Sequence, residues 1–263
     1  MTHYRTPRIL RALRWMRLFA HLATAMVLLR FVFPRASRMR RRRLIGWWSR
    51  KLLAILRVTV HAAGAPPGPD EAAMIAANHV SWLDIFLISS LRPTRFVAKS
   101  EIRDWPVAGF IAQRSGTIFI RRAQRHDTAR INERVHAALG EGDCVGLFPE
   151  AQTTEGDRLM KFHSSLFEPA VANGARVHPV ALRYEHPDGT LCRAPAYVGE
   201  LSFAQSMGLI IRTRSIVARV AFAEPIHPGT STRREVAAQA HARVASLLGF
   251  EVPDRPPGTR ADR

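Results

Sequence analysis

Cysteine is nearly missing. Cys144 and Cys192 are the only two in 263 residues and lie far apart, so neither a disulfide framework nor a zinc site is expected. Cys144 stands in the apolar run CVGLF and reads as a buried, inert thiol. H-E-x-x-H and G-x-x-x-x-G-K-[ST] are absent, which removes the sequence support for a zinc protease or a P-loop ATPase. Acidic residues are scarce as well: 21 Asp and Glu face 39 Lys and Arg, for a formal charge of +18. Such a surplus points to an anionic partner, which composition alone leaves open among nucleic acid, anionic lipid and an acidic protein or substrate. The hydrophobic share of 47% suffices for a core. The length fits one large domain, or a domain with a small appendage.

Long apolar runs are lacking too. A spanning helix needs about 20 apolar residues. The nearest approach is Leu18 to Phe33, LFAHLATAMVLLRFVF, which carries His21 and Arg30. Arg5, Arg8, Arg11, Arg14 and Arg17 precede it; Arg35, Arg38, Arg40, Arg41, Arg42 and Arg43 follow. Lys and Arg stay on the cytoplasmic side, which would hold both flanks there. The expectation is a helix, or helical pair, that enters one leaflet and returns, with a single span as the second reading. The basic, bulky continuation offers no convincing cleavage site, which speaks against a signal peptide. Leu44 to Val60 mixes Trp47 and Trp48 with Arg50, Lys51 and Arg57. That pattern fits an interfacial helix or an amphipathic helix packed on the main domain. No recognisable nucleic-acid module adjoins the basic run, so no nucleic-acid partner is expected.

From about residue 58 short apolar runs alternate with helical patterns. Candidate strands are RVTVH, AAMIAAN, RFVAK, TIFIR, CVGLFP, RVHPVALRY, AYVGE and SIVARVAFA. Candidate helices lie near 82–91, 104–114, 127–140, 164–173, 202–211 and 232–248. This alternation predicts an α/β fold: a mixed, largely parallel sheet flanked by helices. The expected organisation is a membrane-associated helical segment over 1–57, an α/β domain over 58–250 and a loose, Pro-rich tail over 251–263.

Open α/β sheets bind ligands at the carboxyl ends of their strands. Asn78-His79, Lys99, Arg121-Arg122 and Glu150 fall at such ends. Residues five apart on an unbroken helix lie about 140° apart, so His79 and Asp84 meet only across a loop-to-helix corner. There a carboxylate on one imidazole nitrogen fixes the tautomer, and the other nitrogen can take a proton from a hydroxyl. Equally, Ser81 and Asp84 can form a helix-capping pair, with His79 a mere turn residue. The spacing alone leaves both open.

NHVSWLD resembles the N-H-x-x-x-x-D block of the glycerolipid acyltransferase family, which includes the bacterial 1-acylglycerol-3-phosphate acyltransferases. GTIFIRR (Gly116 to Arg122), LFPEAQTTEG (Leu147 to Gly156) and VHPVALRY (Val177 to Tyr184) follow in order and resemble its other blocks. FVAKSEI and KFHSSLF are similar to the family as well. The resemblance covers roughly residues 60–225. It implies an O-acyltransferase with His79 as general base, Asp84 as its orienting partner, and Lys99, Gly116, Arg122, Glu150 and Thr153 in substrate binding. It implies direct attack on an acyl thioester, with acyl-acyl carrier protein or acyl-CoA as co-substrate and neither bound cofactor nor metal. Membrane lipids would be the partners, at the cytoplasmic face of the inner membrane. A Cys-dependent acyl-enzyme is the alternative mechanism, and a non-catalytic basic protein binding membrane or nucleic acid is the alternative class.

The third block departs from the family's F-P-E-G-T-R-S. Ala151 replaces Gly, Gln152 replaces Thr and Thr153 stands where Arg is usual. Thr brings no charge to a phosphate. Either Arg121, Arg122, Lys99 or Lys161 takes that task, or the acceptor lacks the phosphate. Thr at this position is similar to a branch that includes enzymes acylating lyso-ornithine lipid. The first expectation remains 1-acylglycerol-3-phosphate as acceptor.

Overall fold

The structure, a computed structural model, describes residues 5–105, 107–120 and 125–251, with the backbone only for Lys99, Ile120 and residues 125–128. It opens with a helical hairpin. Helix α1 (Arg8–Val27) runs on through a π turn (Leu28–Val32) and a 3-10 turn (Phe33–Arg35). Ser37 caps α2 (Arg38–Ile55) by accepting the Arg40 N–H. At about 100° per residue, Ile9, Leu13, Met16 and Val27 share one face of α1 and are exposed, while Arg14, Leu18, His21 and Ala25 on the opposite face are buried. The helix Arg8–Arg35 is long and apolar enough, by length and composition, to cross a membrane. It exceeds the apolar run read from the sequence because the early arginines alternate with apolar residues.

The hairpin is stitched to itself and to the rest of the molecule. His21 and Trp48 stack with centroids 4.5 Å apart, and the His21 ring contacts the Trp48 carbonyl at 3.0 Å. Buried Arg14 donates to the carbonyls of Ile211, Thr213 and Arg214. Trp48, Leu52 and Leu53 of α2 are buried in the core, so the Leu44–Val60 stretch packs as an amphipathic helix as far as Ile55 and then enters the sheet. Gly46 lets α2 approach closely, since a Cβ there would lie 3.5 Å from the Ser89 carbonyl of α3 (Asp84–Leu91).

The strands are β1 (Val58–Ala63), β2 (Ala73–Ala77), β3 (Arg95–Lys99), β4 (Ile118–Ile120), β5 (Cys144–Leu147), β6 (Arg176–Glu185) and β7 (Ile216–Phe222). Between them stand α4 (Ala108–Arg114), α5 (Arg125–Gly140), α6 (Glu168–Asn173) and α7 (Phe203–Arg212), and α8 (Arg233–Leu248) follows β7. The sheet order is β1-β7-β6-β2-β5-β3-β4, and only the β6–β7 pair is antiparallel. This is the mixed, largely parallel α/β sheet the alternation predicts. Central β2 is buried on both faces, as parallel strands are. Ala73, Ile75 and Ala77 meet the layer of Leu52, Leu87 and Ile210; Met74 and Ala76 meet the layer of Val135, Phe167 and Val244.

AYVGE (Ala196–Glu200) is a loop, not the expected strand. Its backbone ties other loops together instead of joining the sheet: Tyr197 donates to the Val80 carbonyl at 2.9 Å, and Gly199 turns with φ 64°.

The β2–β6 pairing ends at Ala77 and Val180, and Asn78 extends it with its side chain. Its Nδ2 donates to the Leu182 carbonyl at 3.0 Å, and its Oδ1 accepts the Leu182 N–H at 2.7 Å. Asn78→Ala should therefore cost about 2–4 kcal/mol, because a buried donor and acceptor both lose their partner. Denaturant unfolding of the purified variant reads this directly; a loss below about 0.5 kcal/mol, the level of an ordinary surface substitution, would show the splice to be dispensable.

Candidate active site

His79 follows the end of β2 and is held from several sides. Its N–H donates to Glu150 Oε1 at 2.7 Å, and its carbonyl accepts the Thr154 N–H at 2.9 Å. The loop after β5 thus grips the backbone of the loop after β2. The His79 ring stacks on Phe148 with centroids 3.8 Å apart and planes 7° apart, and Phe96 stacks behind Phe148. The imidazole keeps 20% of its side-chain surface exposed.

Asp84 is the first residue of α3 and is wholly buried. Its Oδ2 accepts from His79 Nδ1 at 2.8 Å, from the Val80 N–H at 2.8 Å and from the Ser81 N–H at 2.9 Å. Its Oδ1 accepts the Tyr184 hydroxyl at 2.6 Å. The helix starts at Asp84, two residues later than the sequence pattern predicts. Ser81 does not cap it as expected: its Oγ accepts the Leu83 N–H, and the Asp84 carboxylate reaches back to the N–H groups of the turn before the helix. A carboxylate only accepts, so the shared proton sits on Nδ1 and the Nε2 lone pair is left for other work. Asp84 thus holds the imidazole and the turn before the helix, and the capping pair expected as the alternative does not form, since no side chain caps the start of α3.

The remaining expected residues are placed unevenly. Both Glu150 oxygens are engaged with backbone, Oε1 by His79 and Oε2 by Met160 at 2.7 Å, which makes Glu150 a strut beneath the His79 turn. Burial pushes the Glu150 carboxyl up to about 7 against the pull of the Met160 and His79 N–H groups, and the Asp84 charge adds to the rise. Ala151 sits in the left-handed region at φ 60°, the conformation a Gly adopts without cost. The Thr153 hydroxyl donates to the Tyr197 carbonyl. Lys99 closes β3 at the same sheet edge as His79, with its backbone alone described. Gly116 is not brought to this edge: it precedes β4, turns with φ 85°, and its carbonyl accepts Arg95 Nε at the amino end of the strands. Arg121 and Arg122 lie outside the described residues.

Cys144 and Cys192 are free, buried thiols, and burial raises the pKa of each, which leaves little thiolate for a nucleophilic role. Sequence reasoning missed Phe148, Thr154 and Tyr184. Tyr184 closes the VHPVALRY block, and its position there was the one available signal.

A buried carboxylate holding one nitrogen of a part-exposed imidazole, at the carboxyl edge of an α/β sheet, is an arrangement that can take a proton from a hydroxyl. The profile of the family described as Acyltransferase matches residues 57–183. A lyso-ornithine lipid O-acyltransferase of Pseudomonas aeruginosa is 36% identical over 214 residues, 81% of each chain. A 1-acyl-sn-glycerol-3-phosphate acyltransferase of Neisseria meningitidis is 39% identical over 173 residues, 66% of this chain and 68% of that one. The fold matches the crystal structure of the 1-acyl-sn-glycerophosphate acyltransferase PlsC from Thermotoga maritima with a TM-score of 0.70, covering 92% of this chain and 94% of that one at 19% identity. The chain belongs to the acyltransferase family. It is an acyltransferase of the lysophospholipid type, and its relatives divide between lysophosphatidate and lyso-ornithine lipid.

Between pH 4.5 and about 7 the folded protein keeps a proton on Glu150 that the unfolded chain has released. Stability therefore falls as pH rises through this window, by up to about 3 kcal/mol from this group. Glu150→Gln should remove that fall. Comparing denaturant unfolding at pH 5 and pH 8 tests it: the drop in the parent should exceed the drop in the variant, and equal drops would contradict the burial of an ionisable Glu150.

Proposed function

We propose that this acyltransferase moves a fatty acyl group from an acyl thioester to the free hydroxyl of a lyso-lipid, with His79 as general base and Asp84 as its orienting partner. The observation that carries the reading is the 2.8 Å bond from His79 Nδ1 to buried Asp84. It leaves Nε2 to take the proton of the acceptor hydroxyl as its oxygen attacks the thioester carbonyl. The C–O bond forms and the C–S bond breaks. The departing sulfur recovers the proton from His79 and leaves as a thiol, with no acyl-enzyme between. The donor is acyl-acyl carrier protein or acyl-CoA; both are anionic and suit a chain of charge +18.

The first acceptor is 1-acylglycerol-3-phosphate, which gives phosphatidic acid. The acyltransferase blocks assign Arg122 and Lys99 to acceptor binding, and both are cations suited to a phosphate. A second acceptor, lyso-ornithine lipid, is favoured by Thr153, an uncharged residue whose hydroxyl is already committed to Tyr197. Residues 1–57 hold the enzyme on the membrane through the exposed apolar face of α1, and the domain beyond them carries the chemistry. Basic flanks on both sides of the apolar stretch support a hairpin entering from the cytoplasmic face of the inner membrane.

The test offers purified protein in detergent both acceptors side by side, at fixed donor, with products identified by mass. Lysophosphatidate should be acylated, and folded His79→Ala should lose about 10²–10⁴-fold. Parent-like turnover by His79→Ala would sink the mechanism. Acylation of lyso-ornithine lipid with lysophosphatidate ignored would replace the first acceptor by the second.

A further inference from the structure

Neither the motif pattern nor the relatives assign a task to Tyr184. Its side chain is fully buried in β6, and its hydroxyl donates to Asp84 Oδ1 at 2.6 Å. The other three donors on Asp84, His79 Nδ1 and the N–H groups of Val80 and Ser81, all meet Oδ2. Tyr184 is thus the one donor from the body of the sheet; the rest come from the turn just before Asp84.

We propose that Tyr184 is a positioning residue of the His79–Asp84 pair: its hydroxyl fixes the plane of the carboxylate and draws off part of its charge, and so sets how strongly Asp84 holds the proton on His79. This rests on the reading of His79 as the base.

The phenol is built to remain a donor. Burial first, then the adjacent Asp84 charge, raise its pKa well above the ordinary tyrosine value. Its place is fixed from both sides of β6. Asn78 grips Leu182, Ala218 of β7 is the strand partner of Tyr184, and the Cys192 N–H donates to the Tyr184 carbonyl at 2.9 Å. The fourth sequence block therefore delivers one polar atom to the back of the catalytic pair, where substrate does not reach.

A carboxylate with a donor removed concentrates its charge on the partner that remains. Without the hydroxyl, the imidazolium is held more tightly and the free base is harder to form. The acid limb of kcat/KM then moves to higher pH. The ionisable groups that face the pair are Glu150 from the loop after β5 and Cys192 from the loop after β6. Both are present in every protein compared, so their titration cancels between them.

Full-length protein is assayed as parent, as Tyr184→Phe, and with 3-fluorotyrosine placed at position 184, a more acidic phenol and a stronger donor. Tyr184→Phe should lower kcat about tenfold, leave the acceptor KM unchanged and move the acid limb up by roughly half to one pH unit. Fluorotyrosine should move the limb down. Opposite shifts cannot come from packing, which both replacements preserve. If Tyr184→Phe fails to fold, the fluorotyrosine protein carries the test, because it keeps the hydroxyl. Unshifted profiles would overturn the proposal. His79→Ala in the same assay separates the two claims: its activity would sink the base reading, whereas its inactivity beside unshifted profiles would overturn the role of Tyr184 alone.

Discussion

One buried carboxylate collects four hydrogen bonds at the start of α3, and much of the molecule is arranged to make that possible. An uncompensated charge at a site with no exposed surface would cost several kcal/mol. Asp84 avoids the cost by accepting the N–H groups of Val80 and Ser81, meeting the positive end of the helix dipole, and accepting from His79 and Tyr184. The corner between β2 and α3 is bent around this group. His79 stands where it does because the corner must close on Asp84.

That corner is connected to the α1–α2 hairpin. Helix α3 begins with Asp84 and ends under α2, where Arg50 donates to the Ser90 carbonyl at 2.9 Å and Gly46 permits close approach. A cation at the carboxyl end of α3 complements the carboxylate at its start. The α1–α2 hairpin presents an exposed apolar face on one side and packs into the core on the other. The hairpin and the corner that carries His79 therefore both pack on helix α3, an arrangement that suits the proposed acylation of a membrane lipid.

Much of this was legible in the sequence. The alternation of short apolar runs and helical stretches places the seven strands, because central β2 and β5 are buried on both faces and are apolar throughout. AYVGE was misread because an apolar, turn-bounded stretch looks alike whether it pairs in a sheet or crosses beneath loops. Helical geometry requires a corner for His79 and Asp84 to meet, and the resemblance to the acyltransferase blocks is what implies that they do. Tyr184 was not inferred, because its strand position makes it look like core; only the three-dimensional crossing of β6 behind α3 brings its hydroxyl to Asp84. Glu150 was expected to face substrate. Its engagement with two backbone N–H groups depends on contacts distant in sequence.

The central claim is that Asp84 holds the Nδ1 proton of His79 and thereby leaves Nε2 as the base. Nitrogen-15 NMR of histidine-labelled protein, with the His79 signals assigned by their loss in His79→Gln, measures this most directly. In the neutral ring, Nδ1 should carry the proton and Nε2 should show the shift of an unprotonated nitrogen. A neutral His79 protonated on Nε2, with Nδ1 bare against Asp84, would contradict it.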